Sequence, residues 1–394
     1  MSLWNPLSPE NIHNPYPMYE QLRAESPIYK AQTGEWIFTK YEDVKYILTN
    51  RSFGSGNRKN WIDRGVEYLA QKDIDLAYIA EAMNNFILQL DPPAHTRIRR
   101  FVTENWDKNG VEKIIEKNTK ILINQIKTGE FDIVESFAAK LPSMTTARIM
   151  GLPMADHQYL HDLSSEMIKA LDLYVDLKEL VRLNDASKKF IEYFREKIND
   201  HNLDDGLLKH LLAINKKATE PLNEKELTSV FIFLFVASEE TSVSFLGTTL
   251  FNVIHHGLQP TLINKSTLKT KIEEFLRYDS PVQLLGRIAS EDAVIGNTKI
   301  KQGDTLTLCI GAANRDPEAF VNPNEIQLDR NPKHLTFGKG THYCLGDWLA
   351  KSVAEIAIKE VLVSFKNLQI VSPPANWYNN IAIRGFRSLR VSAS

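Results

Sequence analysis

Apolar and polar positions along the chain alternate with two periods, and the longer one dominates. Pro15 and Pro17 open a first helical stretch that ends before Pro27. Ile28–Ala31 and Trp36–Thr39 then alternate around a Thr33-Gly34 turn, as a hairpin does. Tyr41–Asn50 returns to the helical period, and residues 51–90 read as mixed and loop-rich. From 93 to 279 helical spacing prevails. Its clearest element begins at Asn223, an N-cap with Glu226 placed to close a capping box, and stops at Gly257. The element spans roughly 50 Å at 1.5 Å per residue. Its centre, Val230 to Ala237, is apolar on every side, which predicts a helix buried all round.

After 280 the period changes. Short strands are expected over Ala293–Ile300 and Thr305–Ile310, then an irregular meander from Asn314 to Pro332. A last helix follows over Leu345–Leu362, with tail strands near 368–371 and 387–392. Helix outweighs strand, so the fold class is mainly α with small β-sheets. No repeat and no Gly/Ser-rich linker divides the chain, and a single domain over 1–394 is expected.

Composition narrows the function. Among 394 residues, 47 Lys and Arg face 49 Asp and Glu, a net charge of −2. Such a balance argues against nucleic acid or anionic lipid as partner. The longest apolar run, Val230 to Ala237, is far shorter than the ~18 residues of a membrane span, and the first residues do not resemble a secretory signal. The two cysteines, Cys309 and Cys344, exclude a disulfide framework and a four-cysteine zinc site. The expectation is a cytoplasmic protein.

The sharpest chemical signal is Phe337-Gly-Lys-Gly-Thr-His-Tyr-Cys-Leu-Gly346. Its glycines allow positive φ and close approach of backbone to a flat ligand. Cys344 stands where the last helix begins, and free N–H groups there stabilise a thiolate. A lone thiolate beside a glycine loop suits axial ligation of haem iron. Position alone leaves an inert buried thiol equally open. The full spacing Phe-x-x-Gly-x-x-x-Cys-x-Gly arises in only about 2 of 10,000 shuffled chains, which favours the ligand.

Three further motifs carry charge. Glu274 and Arg277, three apart, share a helix face; alone, such a pair reads as an ordinary surface ion pair. Asp91-Pro-Pro-Ala-His95-Thr-Arg97-Ile-Arg99-Arg100 opens a helix with His95 and Arg99 on one face, a cationic pair for an anion or a basic surface. Ala237-Ser-Glu-Glu240-Thr241 places acids and hydroxyls straight after the apolar run. That conflict with burial marks either a functional site or a helix emerging into solvent. A back-bond from Thr241 to the Ala237 carbonyl would open the helix locally.

Together, in this order, these motifs resemble the cytochrome P450 family of bacterial haem-thiolate monooxygenases, over essentially the whole chain. The resemblance implies that fold, with haem b (iron protoporphyrin IX) between the long central helix and the Cys344 loop. It makes Cys344 the iron ligand and Glu274, Arg277 and Arg330 a buried structural triad. His95, Arg99, Arg287 and His342 fall to the haem propionates, and Ala237, Phe337, Gly338 and Gly346 to the haem faces. Glu240 and Thr241 become the acid–alcohol pair that delivers protons. Ser238 replaces the family's usual glycine, and Ile326 a frequent Phe. Substrate-facing positions by resemblance are Ile87, Leu88, Phe233, Leu234, Val282, Gln283, Leu284, Leu285, Ile381 and Ala382, mostly apolar, with Gln283 and Asn380 as polar anchors. The implied reaction inserts one oxygen atom from dioxygen into a small, largely apolar organic substrate. Electrons would come from a ferredoxin or flavodoxin-type donor with its reductase, docking near Lys339, Lys351 and Arg100. Two other readings keep the haem: a sensor or carrier without turnover, suggested by Ser238, and a peroxide-driven or oxidative-coupling enzyme.

Overall fold

A computed structural model describes residues 3–55, 65–72, 74–171, 175–263, 268–371 and 376–393. Residues 56–64 and 73 of the loop-rich stretch lie outside that description. The helices that matter below are α1 Tyr16–Glu25, α2 Tyr41–Thr49, α3 Ala77–Asn84, α4 Ala94–Asn105, α5 Lys140–Met150, α6 His157–Met167, α7 Leu177–Asn199, α8 Glu224–His255, α9 Lys269–Tyr278 and α10 Asp347–Ser364. The strands are β1 Ile28–Lys30, β2 Trp36–Phe38, β3 Phe53–Gly54, β4 Gly129–Asp132, β5 Leu284–Ala289, β6 Ala293–Ile295, β7 Thr298–Ile300, β8 Thr305–Cys309, β9 Gln369–Ile370, β10 Asn376–Trp377, β11 Phe386–Ser388 and β12 Arg390–Ala393. Backbone contacts group the chain into two compact units. One comprises residues 1–54, 115–139 and 241–394; the other comprises 55–114 and 140–240.

In the first unit a five-stranded sheet runs in the order β1-β2-β8-β5-β3. The hairpin read at Thr33-Gly34 is its edge, with Ile28 opposite Phe38. β2 pairs in parallel with β8, Phe38 beside Leu308, and β8 pairs antiparallel with β5. Leu306, Leu308 and Cys309 are nearly or wholly inaccessible, so this central strand is buried on both faces and its sequence shows no clean alternation. Val44, Ile47 and Leu48 of α2 pack on the same core. The tail strand β12 pairs with β4, Val391 opposite Phe131. β4 thus interrupts the helical stretch read from 93 to 279: Gly129–Asp132 is too short to carry its own period, and its partner lies some 260 residues away.

The hub of this unit is Arg277 of α9, which has no exposed surface. Its Nε and Nη2 donate to the Glu274 carboxylate, both at 2.8 Å. The other donors go to the carbonyls of Asn314, Pro323 and Glu325 at 2.8–3.0 Å. All five guanidinium N–H groups are therefore used. Arg330 Nε donates to Glu274 Oε1 at 3.1 Å. Glu274 and Arg277 are thus a buried pair that fixes the meander, and not a surface pair.

In the second unit, α7 and the first half of α8 meet through aromatic rings. Phe190 and Phe194 pack on Phe235 and Phe231, with centroids 6.0–6.3 Å apart. On another side Ser229 Oγ donates to the Ala82 carbonyl of α3 at 3.1 Å. Neighbours on several sides explain why the centre of α8 is apolar all round. Asn223 and Glu226 exchange side-chain bonds to each other's backbone N–H at 3.0 and 2.9 Å, the capping box read from the sequence. At the far end, in the first unit, Gly257 takes φ +60° and Leu258 N–H reaches back to Val253 O at 2.8 Å. This Schellman closure needs the glycine. α8 is long and apolar enough to span a membrane, but 72% of its apolar window is buried within the protein, the condition of a core helix.

Removing one partner of a fully buried ion pair leaves an uncompensated charge, at a cost of about 3–5 kcal/mol. Arg277→Met is therefore expected to lower the unfolding free energy by about that amount, read as a shifted midpoint in denaturant titration. Arg330→Met, at a partly exposed position, should cost clearly less.

Candidate functional site

The Cys344 loop is shaped by its glycines. Gly338 and Gly340 adopt φ +69° and +72°. A Cβ on Gly340 would stand 2.5 Å from the Leu48 carbonyl oxygen, so only glycine lets the loop lie against the end of α2. Cys344 N–H closes the loop on Phe337 O at 2.9 Å. Helix α10 starts at Asp347 with Gly346 as its cap, two residues later than Leu345, because Tyr343–Gly346 is spent on closing the turn. Cys344 is half-exposed, whereas Cys309 is fully buried, and burial pushes the Cys309 thiol far above its ordinary range. Of the two thiols, Cys344 alone is placed to meet a ligand.

Phe337 is held from behind. Lys351 Nζ lies 5.0 Å from its ring centroid and the His334 ring 5.9 Å. Both side chains converge on Glu273, at 2.9 and 2.8 Å. Burial would raise the Glu273 carboxyl, but the bonds from His334 and Lys351 override it and hold it at about 2. Lys351 also approaches Asp347 at 3.7 Å. Its charge is shared with two acids at a half-buried position; Lys339 is exposed. Also in the first unit, His342 and Gly346 are half-buried, and Arg287 on β5 is buried and donates to Gly286 O at 2.7 Å.

The first unit also joins two of the expected substrate-facing segments. Gln283 N–H donates to Ala382 O at 2.8 Å, and Val282 bridges to Ile383. Ile381, Ala382 and Leu284 are buried, while Val282 and Leu285 are partly open. Gln283 turns inward. Its amide nitrogen donates to Ser280 O at 2.7 Å and Tyr16 Oη at 3.3 Å, and its Oε1 crowds Gly311. Asn380 Oδ1 accepts from the backbone of Ala382 and Ile383. One polar atom of each expected anchor, Gln283 Nε2 and Asn380 Oδ1, is thus engaged by the fold.

In the second unit His95 is buried on α4 and Arg99 follows one turn later, half-buried. Burial first, then the Arg99 charge, hold His95 below its ordinary range. Arg97 pairs with Glu226 and Arg100 is exposed. Ile87 and Leu88 lie in a short 3-10 turn, Ile87 buried and Leu88 partly open. The preceding Phe86 meets Phe233 edge-on at 5.6 Å. Leu234 is buried, yet Ala237, flanked by the buried Phe235 and Val236, is exposed.

The acidic stretch does not emerge into solvent. Glu239 has no exposed surface and Glu240 almost none. Ser165 Oγ on α6 donates to Glu240 Oε1. His161 Nδ1, also on α6, lies 2.8 Å from Glu239 Oε2. Burial, reinforced by the neighbouring Glu240, raises the Glu239 carboxyl to about 7 against the pull of His161. Burial lowers His161, but its bond to Glu239 outweighs that and leaves it raised. Ser238 Oγ donates to Phe235 O at 2.8 Å and lies 2.8 Å from Thr146 Oγ1 on α5. α8 is unbroken α-helix through 237–241, so the local opening expected at Thr241 is not seen; a hydroxyl can bond its own helix without displacing the ladder. Thr241, in the first unit's share of α8, is half-buried. His161, Ser165 and Thr146 escaped the sequence reading because each lies 75–92 residues from its partner.

Each unit carries donors of the kind a haem takes. The first offers a half-exposed thiol in a glycine loop, the Arg287 guanidinium and the His342 imidazole; the second offers the His95 imidazole, the Arg99 guanidinium and an exposed alanine at 237.

The pair Glu239–His161 also makes stability depend on pH. Both groups bind protons more tightly folded than unfolded, so their contribution is present at low pH. It is lost as pH climbs from the free carboxyl value of 4.5 through about 7 for Glu239, and from 6.5 upward for His161. Thermal unfolding followed from about pH 5 to pH 8.5 should show this fall, and Glu239→Gln should flatten it.

Comparison with known proteins bears on the same residues. The family model "Cytochrome P450" matches residues 261–376. The "Polyketide biosynthesis cytochrome P450 PksS" of Bacillus subtilis (strain 168) is 31% identical over 415 aligned positions, covering 100% of this chain and 99% of that protein. The "Biotin biosynthesis cytochrome P450" of the same organism is 30% identical, covering 92% of each. Among solved structures, P450BioI in complex with hexadec-9Z-enoic acid ligated acyl carrier protein superposes with a TM-score of 0.85 at 29% identity, over 98% of this chain and 99% of that one. Identity at this level over the full length of both chains settles the family: the protein is a cytochrome P450, a haem-thiolate monooxygenase that carries haem b, acts on a small organic molecule and draws its electrons from a redox partner.

Proposed function

We propose that the protein, as a single domain over 1–394, oxygenates a largely apolar substrate, with Cys344 as the thiolate ligand and Glu240 and Thr241 as the groups that manage protons. The observation that carries this is the Cys344 loop, where a half-exposed thiol is held by a backbone bond at 2.9 Å in a turn that lies against α2 at Gly340, where a Cβ would collide with the Leu48 carbonyl. His95, Arg99, Arg287 and His342 would hold the propionates, and Ala237, Phe337, Gly338 and Gly346 would meet the ring. When bound, the haem supplies dioxygen activation. What the chain adds is placement. Glu240 is kept out of bulk water and oriented by Ser165, so it offers a carboxyl oxygen at a fixed point through which a proton can pass. The hydroxyl of Ser238, the departure that suggests a carrier without turnover, is engaged by Phe235 O and Thr146, which supports the enzymatic reading.

The side chains assigned to the substrate are almost all aliphatic or aromatic, and the fold already engages Gln283 Nε2 and Asn380 Oδ1. This favours a substrate recognised by shape and apolar area. The polyketide-pathway relative and the neighbour bound to an acylated carrier protein favour an acyl or polyketide chain. We assign electron supply to a ferredoxin or flavodoxin with its reductase, and the cytoplasm as location.

Purified protein should bind haem, and its reduced carbonyl adduct should show thiolate-type red-shifted absorption; Cys344→Ala should lose that absorption and Cys309→Ala keep it. A retained thiolate signature in Cys344→Ala would end this assignment. Titration with free and carrier-linked acyl chains, followed by the haem spin-state shift, tests the substrate class. Thr241→Ala should bind haem normally, yet form several-fold less product per dioxygen consumed.

A further inference from the structure

Two consecutive carboxylates, Glu239 and Glu240, are buried in the middle of α8. Two adjacent anions out of water repel each other and lack hydration, so one of them must be neutralised. Their partners on α6 differ in kind. Ser165 donates its hydroxyl hydrogen to Glu240 Oε1, which requires that oxygen to be unprotonated, but a hydroxyl brings no charge. Glu239 meets an imidazole at 2.8 Å through Oε2, while its Oε1 is buried with no hydrogen-bond partner among the described residues. An orphaned, fully buried carboxyl oxygen favours the neutral acid or an ion pair with a proton donor.

We propose that Glu239 and His161 share one proton as a dyad, keeping Glu240 the single net anion of this stretch, and that the dyad thereby sets the pH range in which Glu240 serves the reaction. This rests on the reading of Glu240 given above and makes Glu239 and His161 positioning residues. Transfer breaks the Nδ1–H bond of His161 and forms an O–H bond at Glu239 Oε2; the pair is neutral overall before and after. Losing the shared proton leaves a second carboxylate charge beside Glu240. Gaining another leaves the dyad cationic. Exchange with solvent enters at His161, whose side chain is 16% exposed while that of Glu239 is not exposed at all. The charges acting on the pair are Glu240 on α8 and Asp162 and His157 on α6, with Lys140 of α5 acting on His157. α7 also packs on α6; there the Tyr193 hydroxyl donates to Asp156.

The test reads the dyad without turnover. Imidazole nitrogen NMR on the full-length, haem-loaded protein in its diamagnetic reduced carbonyl form follows His161, assigned by difference from His161→Gln. The wild-type midpoint should lie above the ordinary histidine value, and Glu239→Gln should lower it by at least about one pH unit, tenfold in proton affinity. In turnover, the alkaline limb of product formed per dioxygen consumed should move in both Glu239→Gln and His161→Gln, with the carbonyl spectrum unchanged. A wild-type His161 midpoint at or below the ordinary value overturns the dyad, whether or not Glu239→Gln folds. So does an alkaline limb that stays in place in both variants. If His161 behaves as expected but Glu240→Gln leaves coupling intact, the reading of Glu240 fails, and with it the purpose given to the dyad.

Discussion

A guanidinium with no contact to water must satisfy five donors and one charge within the protein. Arg277 does so by gathering the Glu274 carboxylate and the carbonyls of Asn314, Pro323 and Glu325 around itself. The meander has almost no secondary structure of its own to hold it, so its path is dictated by where those carbonyls must sit. That constraint extends to the Cys344 loop. Asn314 Oδ1 accepts from Leu335 N–H at 2.7 Å, and Leu335 O accepts from Gly338 N–H at 2.8 Å. Glu273, next to Glu274, faces the loop instead and holds His334 and Lys351 behind Phe337. Two adjacent acids on one short helix therefore fix the meander and the thiol loop from opposite sides.

The same local pattern, two consecutive glutamates on a helix, recurs in α8 with a different outcome because the partners differ. Glu274 gives both its oxygens to the Arg277 guanidinium, and its role is architectural. Glu239 faces an imidazole, whose free pKa lies near neutrality, so its charge is exchangeable. Glu240 faces only a hydroxyl. Sequence spacing is alike in the two helices; partner chemistry separates a strut from a titrating site.

Features set by neighbours in the chain were legible before any coordinates. The Asn223–Glu226 cap, the Gly257 stop, the Thr33-Gly34 hairpin and the closing bond of the Cys344 loop all join residues within about ten positions of one another, and each is formed as local chemistry dictates. What the pattern concealed is long-range. β4 is four residues inside a helical region and exists because β12 pairs with it. Gln283 reads as an exposed polar anchor, yet Tyr16, far away in sequence, and the carbonyl of Ser280 claim its amide. Lys351 reads as a surface charge until α9 brings Glu273 against it.

The spent charges narrow the electrostatics that a redox partner would meet. A surface field is made by charges left over after internal pairing, and charges compensated within a few ångström contribute little beyond a Debye length. Arg97 is compensated by Glu226 and Lys351 by Glu273 and Asp347, whereas Lys339 and Arg100 are exposed. In a chain of net charge −2, attraction of a charged redox partner would come from local clusters of charge rather than from the protein as a whole. Association governed by so few charges is steered at short range and is readily reversed, which suits a carrier that must leave after each electron.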